Sequence, residues 1–388
     1  MRYLPDSLKT LILGYEYNER LNDVLPDFLE ILRTGKKYNQ KIDDIPNSIK
    51  KLTLGNDFKR KIKHLPSSLT NLKIGSSFNH PLDNTIIPKS LKKLKLGHNF
   101  DHKINFFNTK LEIIHFGNMF NSPISSLLPI TLKKLYLNGK FDQEISKLPY
   151  SLEFLQLSSD FNKSISGILP IKLNTLILKY SFNQPIDHFP ILLEHLKIGH
   201  AFNSSISNLP TALKTLEIGN EFDQKIKLPL LLRKLKLGHS FNQDIDDFPD
   251  TLEELEFGNL FNRPISGKLP DTLEILKFGD LFNQPFFSFP ISLKYLKLGG
   301  FFNRPIDKIL PYGLKILKFD EDSIFNYSLD NLPDTIEYLY LGKGFKQKIN
   351  KFPRNLIGIE LSVDYPFMHI LRHLDPSVDI ASRSLYGI

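Results

Sequence analysis

The chain has no cysteine among its 388 residues. Disulfide staples, thiolate metal sites and cysteine nucleophiles are excluded, and a reducing compartment fits. No apolar run approaches the roughly 20 residues that a membrane helix needs, so no membrane span is expected. The opening Met1-Arg2-Tyr3-Leu4-Pro5-Asp6 lacks the apolar core of a signal peptide. The expected location is therefore the cytoplasm of the producing or host cell. The Asn-x-Ser sequons at Asn162, Asn203 and Asn326 are then incidental. Catalytic signatures are missing too. There is no phosphate-binding loop and no Gly-x-Ser-x-Gly nucleophile elbow, and the carboxylates are scattered without singling out an acid–base pair. His369 and His373 lie four apart, on one face of an α-helix, yet Ile370 stands where a metalloprotease signature needs Glu. No catalytic residue, metal, cofactor or small-molecule substrate is expected, and the chain does not read as an enzyme. The net charge of +8 is modest for this length and decides little.

What is present is a repeat. It is plainest in Leu269-Pro270-Asp271-Thr272-Leu273-Glu274-Ile275-Leu276-Lys277-Phe278-Gly279, followed by Asp280-Leu281-Phe282-Asn283-Gln284-Pro285-Phe286. Counting from the proline, apolar residues, mostly leucine, stand at +3, +6 and +8. Gly stands at +9, Phe-Asn at +12 and +13, and another apolar residue at +16. The pattern starts at Pro5 and runs to Pro353 in eighteen units of 19 to 22 residues, with Asn108 in the proline's place once. The +9 glycine is kept in thirteen units and replaced by Asn138, Ser158, Lys179, Asp320 and Ser362 in the others. A repeat this short makes one elongated domain rather than two or three ordinary ones.

The alternation before the glycine predicts a short strand with one buried face. A proline every ~20 residues and too little chain for a three-turn helix predict turns and extended segments on the return side. One unit cannot cover its own apolar side chains. Stacked units can, with the +3, +6, +8, +12 and +16 residues in columns at the strand spacing of roughly 4.8 Å. Consecutive strands must then be parallel, because a full coil of chain separates them. The proline stiffens the turn into each strand, and the glycine serves either a positive φ or a close backbone approach. The row of Asn at +13, with Asp101, Asp142 and Asp223 substituting, is expected to bond the backbone of neighbouring turns.

Leu-Pro-x-x-Leu-x-x-Leu-x-Leu-Gly-x-x-Phe-Asn-x-Pro-Ile resembles the FNIP repeat, a variant of the leucine-rich repeat. Phe182-Asn183-Gln184-Pro185-Ile186 and Phe261-Asn262-Arg263-Pro264-Ile265 are close examples. The resemblance covers about residues 1–362. It implies a mainly β repeat solenoid, a leucine-rich-repeat-like right-handed coil with one long parallel sheet, an interaction role and no cofactor. Such repeats occur chiefly in social amoebae and giant viruses, often behind an F-box that recruits a ubiquitin ligase. Here the first repeat begins at Met1, so no F-box is expected in this chain. Thr34 at a leucine position, Lys59 and Lys346 at the Asn position, and two extra residues within Asp320–Ile324 depart from the pattern. The segment 363–388 breaks it and is expected to be a cap or tail, with one short helix within Pro366–Leu374.

The residue between the two strand leucines faces the open side of the sheet. There Arg33, Lys73, Lys95, Lys197, Lys236, Lys277, Lys297 and Lys318 stand against Glu217, Glu256 and Glu360. Lys197, Glu217, Lys236, Glu256 and Lys277 alternate in sign, a self-neutralising ladder. Lys277, Lys297 and Lys318 then stand in a mildly repulsive row, with Tyr295, Tyr338 and Tyr340 on the same face. These six residues are the expected seat of an acidic protein partner. The interrupting acids and the lack of a recognised motif weigh against nucleic acid. The expected role is a non-enzymatic protein-interaction scaffold. Its alternatives are the recognition part of a ubiquitin-ligase adaptor whose F-box lies elsewhere, and a structural protein that stacks on copies of itself through its ends.

Overall fold

Each repeat proline opens a turn. In the computed structural model the proline carbonyl accepts the N–H of the +3 leucine, as from Leu29 to Pro26 at 3.1 Å and from Leu273 to Pro270 at 3.0 Å. A strand follows. A second turn then closes from the +12 aromatic N–H to the +9 carbonyl, as from Phe58 to Gly55 at 3.2 Å, and takes the chain off the sheet. The structure describes residues 4–21, 24–124, 128–245, 247–265 and 267–383.

The chain divides into two units, Met1–Leu193 and Glu194–Ile388. The first holds β1 (Thr10–Ile12), β2 (Ile31–Arg33), β3 (Lys51–Thr53), β4 (Asn71–Lys73), β5 (Lys93–Lys95), β6 (Ile113–His115), β7 (Lys134–Tyr136), β8 (Phe154–Gln156) and β9 (Thr175–Ile177). The second holds β10 (His195–Ile198), β11 (Thr215–Ile218), β12 (Lys234–Lys236), β13 (Glu254–Glu256), β14 (Ile275–Lys277), β15 (Tyr295–Leu298), β16 (Ile316–Phe319), β17 (Tyr338–Tyr340), β18 (Gly358–Ser362) and β19 (Asp379–Arg383). Successive strands of a unit pair in parallel. Leu52, Leu72 and Leu94 stand side by side in the first, and Leu235, Leu255 and Leu276 in the second. Each unit is thus the parallel β-solenoid that the repeat implies.

The core is the set of columns. From the second coil on, the +3 and +6 leucines and isoleucines are almost completely buried. The +12 rings stack nearly parallel, for example Phe141 on Phe161 at 6.1 Å and Phe222 on Phe241 at 6.1 Å. This exceeds the 4.8 Å expected of every column, because parallel rings prefer an offset to a direct sandwich. Thr34, the polar residue at a leucine position, is buried, and its Oγ1 accepts the Gly55 N–H at 2.9 Å. A feature missed in the sequence is the hydroxyl at +2. Ser151, Thr251 and Thr272 each donate to the +3 carbonyl of the preceding coil, at 2.7, 2.8 and 2.9 Å.

The choice left open for the +9 glycine is settled by the backbone. Among the described residues, glycine takes a positive φ only at Gly139 and Gly167, and neither is a +9 glycine. At +9 the reason is contact: a Cβ on Gly258 would lie 1.9 Å from the Gly238 carbonyl oxygen.

The +13 row forms a ladder of a simple kind. Each side-chain oxygen accepts the backbone N–H of the same position one coil later: Asn39 to Asn18 at 2.8 Å, Asn121 to Asp101 at 2.9 Å, Asn303 to Asn283 at 3.0 Å. Only an acceptor is needed, so Asp replaces Asn without loss. Asn283→Ala is therefore expected to lower stability by about 1 kcal/mol, through the orphaned Asn303 N–H. Asn283→Asp should stay within about 0.5 kcal/mol of the parent. Urea titrations of both variants check this.

Beyond β18 the tail departs from expectation in two ways. Its helix, Met368–His373, is of the 3-10 type. With three residues per turn, His369 and His373 are rotated apart by about 120° and do not share a face. The tail also supplies β19, whose Ile380 stands beside Ile359 and lengthens the leucine column. Met1–Tyr3 and residues 384–388 lie outside the described residues. No described helix is long and apolar enough to cross a membrane.

Candidate interaction surface

Strand alternation turns the second residue of each strand toward the core. The first and third residues face the open side, where they have no packing duty. This leaves two side chains per coil free to serve a surface.

In the second unit most open-face lysines are matched with acids across strands. Lys197 meets Glu217 at 2.7 Å, Lys234 meets Glu254 at 3.1 Å and Lys236 meets Glu256 at 2.5 Å. Lys277 lies 3.4 Å from both Glu254 and Glu256. Burial pulls its ammonium down, but Glu256 and Glu254 together hold it above the ordinary lysine value. Burial pushes Glu256 up, and Lys236 and Lys277 more than offset this, so its carboxyl sits below the usual range.

All six residues singled out above fall on this face, over β14–β17. Lys277, Lys297 and Lys318 are in register on neighbouring strands. The expected repulsion among them needs correcting. Lys277 has its two glutamates, and Lys297 is paired with Asp320 at 2.8 Å. Asp320 occupies a +9 glycine position, at the end of the strand beside Lys297, and reaches back over the sheet. Lys318 lies over the Tyr340 ring at 5.0 Å, and Lys277 over Tyr295 at 5.9 Å. Tyr338 lies in register with Gly358, whose missing Cβ leaves space for its ring, since that Cβ would stand 3.1 Å from Tyr338 Cδ1. Burial raises the Tyr295 phenol, while Lys277 and Lys297 oppose the rise.

The first unit is different. The first and third positions of β1–β9 carry no acid at all, but they carry Arg33, Lys51, Lys73, Lys93, Lys95 and Lys134, all exposed. Half of these escaped the sequence reading, which counted only the residue between the strand leucines. Lys51, Lys93 and Lys134 occupy the first strand position, which period two also turns outward. Up to Leu193 there are 27 Lys and Arg against 17 Asp and Glu; from Glu194 onward there are 23 against 25. The chain's positive excess therefore belongs to the first unit. Beside the cations, His115 stacks on Tyr136 at 3.8 Å, and Tyr136 leans on Phe154 at 4.6 Å. Burial, then Lys95, holds the His115 imidazole down to about 4, so it is neutral at pH 7.

An apolar hollow lies elsewhere in the first unit, lined by Phe107, Leu128, Ile130, Leu148, Pro149 and Tyr150. Among the described residues no group of three His, Asp or Glu side chains is placed to hold a metal ion.

The FNIP Repeat family profile matches residues 2–37, 38–77, 78–118, 120–160, 182–221, 222–260, 261–301, 282–322 and 302–344. Among solved structures, the chain is similar to CroV588 of a giant virus, described as a novel circular leucine-rich-repeat protein structure. Identity is 34%, the TM-score is 0.86, and 98% of this chain and 63% of that one are covered. This chain thus spans less than two thirds of that protein's length. It is also similar to YopM from Yersinia enterocolitica WA-314, at 19% identity and a TM-score of 0.54, over 95% of this chain and 91% of that one. The latter likeness concerns the fold alone. No curated protein sequence matches.

Proposed function

Given that this chain belongs to the FNIP-repeat family, we propose that it is a non-enzymatic protein-interaction scaffold that docks partners on the open face of its sheet. One observation carries this. Tyr295, Tyr338 and Tyr340 stand half-buried on the open face of β15 and β17, outside the leucine core. Tyrosines held rigid on such a face are suited to anchoring a protein partner. Their lysine neighbours tune the patch. Lys277 and Lys297 are engaged with acids of the same face, so Lys318, over Tyr340, is the cation best placed to meet an acidic group of the partner. Residues 1–362 act as the solenoid, and the tail from 363 covers the end of its columns, with Leu371 of the 3-10 helix buried. A cysteine-free scaffold suits the cytoplasm.

The test is affinity capture from the producing cell, comparing the parent with Lys318→Glu combined with Tyr340→Ser. Proteins recovered by the parent should fall about tenfold or more with the variant, at an unchanged melting temperature. Unaltered recovery would retire the patch. Ubiquitin-ligase subunits among the proteins lost would point to an adaptor.

A further inference from the structure

We propose that the open face of the first unit, over β2–β7, seats an acidic polypeptide segment. This rests on the open-face docking proposed above and adds a second seat with its own chemistry. Arg33, Lys51, Lys73, Lys93, Lys95 and Lys134 form no ion pair among the described residues. The acids just before β2 and β6 are taken by other lysines: Glu30 by Lys9 and Lys50, Glu112 by Lys92.

Lys73 and Lys95 stand directly opposite each other, an arrangement that disfavours the fold. The second unit has the same coil and the same positions, and there five of the six described open-face lysines, all but Lys318, are paired with an acid. The unmatched face is therefore not a consequence of the architecture. Five of the six cations line one shallow trough of about 470 Å³. Thr53 and Asn71 stand among them and offer hydroxyl and amide groups to a peptide backbone.

The stacked rings argue for a peptide over a nucleic acid. A base needs a free ring face to stack on, and here Tyr136 is held between His115 and Phe154. An extended peptide presents alternate carboxylates at about 6.8 Å, the interval that separates Lys93 from Lys95 along β5.

The probes are a fluorescein-labelled peptide of alternating Glu and Ser, and a labelled oligothymidylate of matching charge, read by fluorescence anisotropy on the full chain. Lys73→Glu with Lys95→Glu should weaken peptide binding about tenfold or more. Lys103→Glu with Lys110→Glu changes the net charge equally at exposed sites off the face and should stay within about twofold. The face variant should melt close to the parent, because it exchanges one exposed like-charge pair for another. Equal losses in the two variants would overturn the proposal, as would a parent that binds no peptide. Tighter oligothymidylate binding that the face variant abolishes would overturn it in favour of nucleic acid. Any of these leaves the tyrosine patch of the second unit standing, since capture through Tyr340 is scored separately.

Discussion

Gly117→Ala is expected to disrupt the coils around it, while Gly14→Ala leaves stability within about 0.5 kcal/mol of the parent. A Cβ on Gly117 would lie 1.8 Å from the Gly97 carbonyl oxygen and 2.5 Å from its carbon. Both are backbone atoms, so no side chain can rotate out of the way. The coil would have to move, and it is pinned by the strand hydrogen bonds of β5–β7. Overpacking of this kind costs on the order of 3 kcal/mol. The same site in the first coil has nothing within 4 Å of the added carbon. The two variants thus change the same residue at the same repeat position, and differ in whether the backbone of another coil lies against the added carbon. Thermal unfolding should separate them, and hydrogen exchange should locate the loss of protection in β5–β7. Equal melting of the two would refute close approach as the reason for this glycine.

The second large effect is expected from Phe261→Ala. The ring is 2% exposed and stacks on Phe257 at 3.9 Å, Phe282 at 5.9 Å and Phe241 at 6.1 Å. Its removal leaves a cavity that hydrogen-bonded coils cannot close, at a cost of about 3–5 kcal/mol. In a solenoid each coil is stabilised mainly by its two neighbours, so one mid-stack cavity weakens two interfaces. Unfolding in urea should shift to lower concentration and lose cooperativity. Phe287, 89% exposed, provides the comparison: Phe287→Ala should leave the curve in place within about 0.5 kcal/mol. A single, equally steep transition for both would mean that the aromatic column does not join the coils.

Much of this is visible in the residue order. The proline turn, the three-residue strand and the +12 ring column all follow from a short hydrophobic period. The asparagine row was legible as a polar partner of the backbone, though which N–H it serves was not. The tail was less legible. Asp379–Arg383 carries no repeat signature, and its pairing with β18 depends on a parallel edge that β18 presents.

The surface divides the same way. That alternate strand residues face outward is a property of the chain itself, because β geometry turns successive side chains to opposite sides. Which of those residues keeps a bare charge was decided only by stacking. Lys297 finds Asp320, and Lys277 finds Glu254 and Glu256, about one coil away in the chain and beside it in space. Lys73 and Lys95 find each other. Local sequence determined the coil, since it needs only periodicity and turn chemistry. The pattern of neutralised and bare cations needed the tertiary structure, since Coulomb attraction acts on the few ångströms between neighbouring coils.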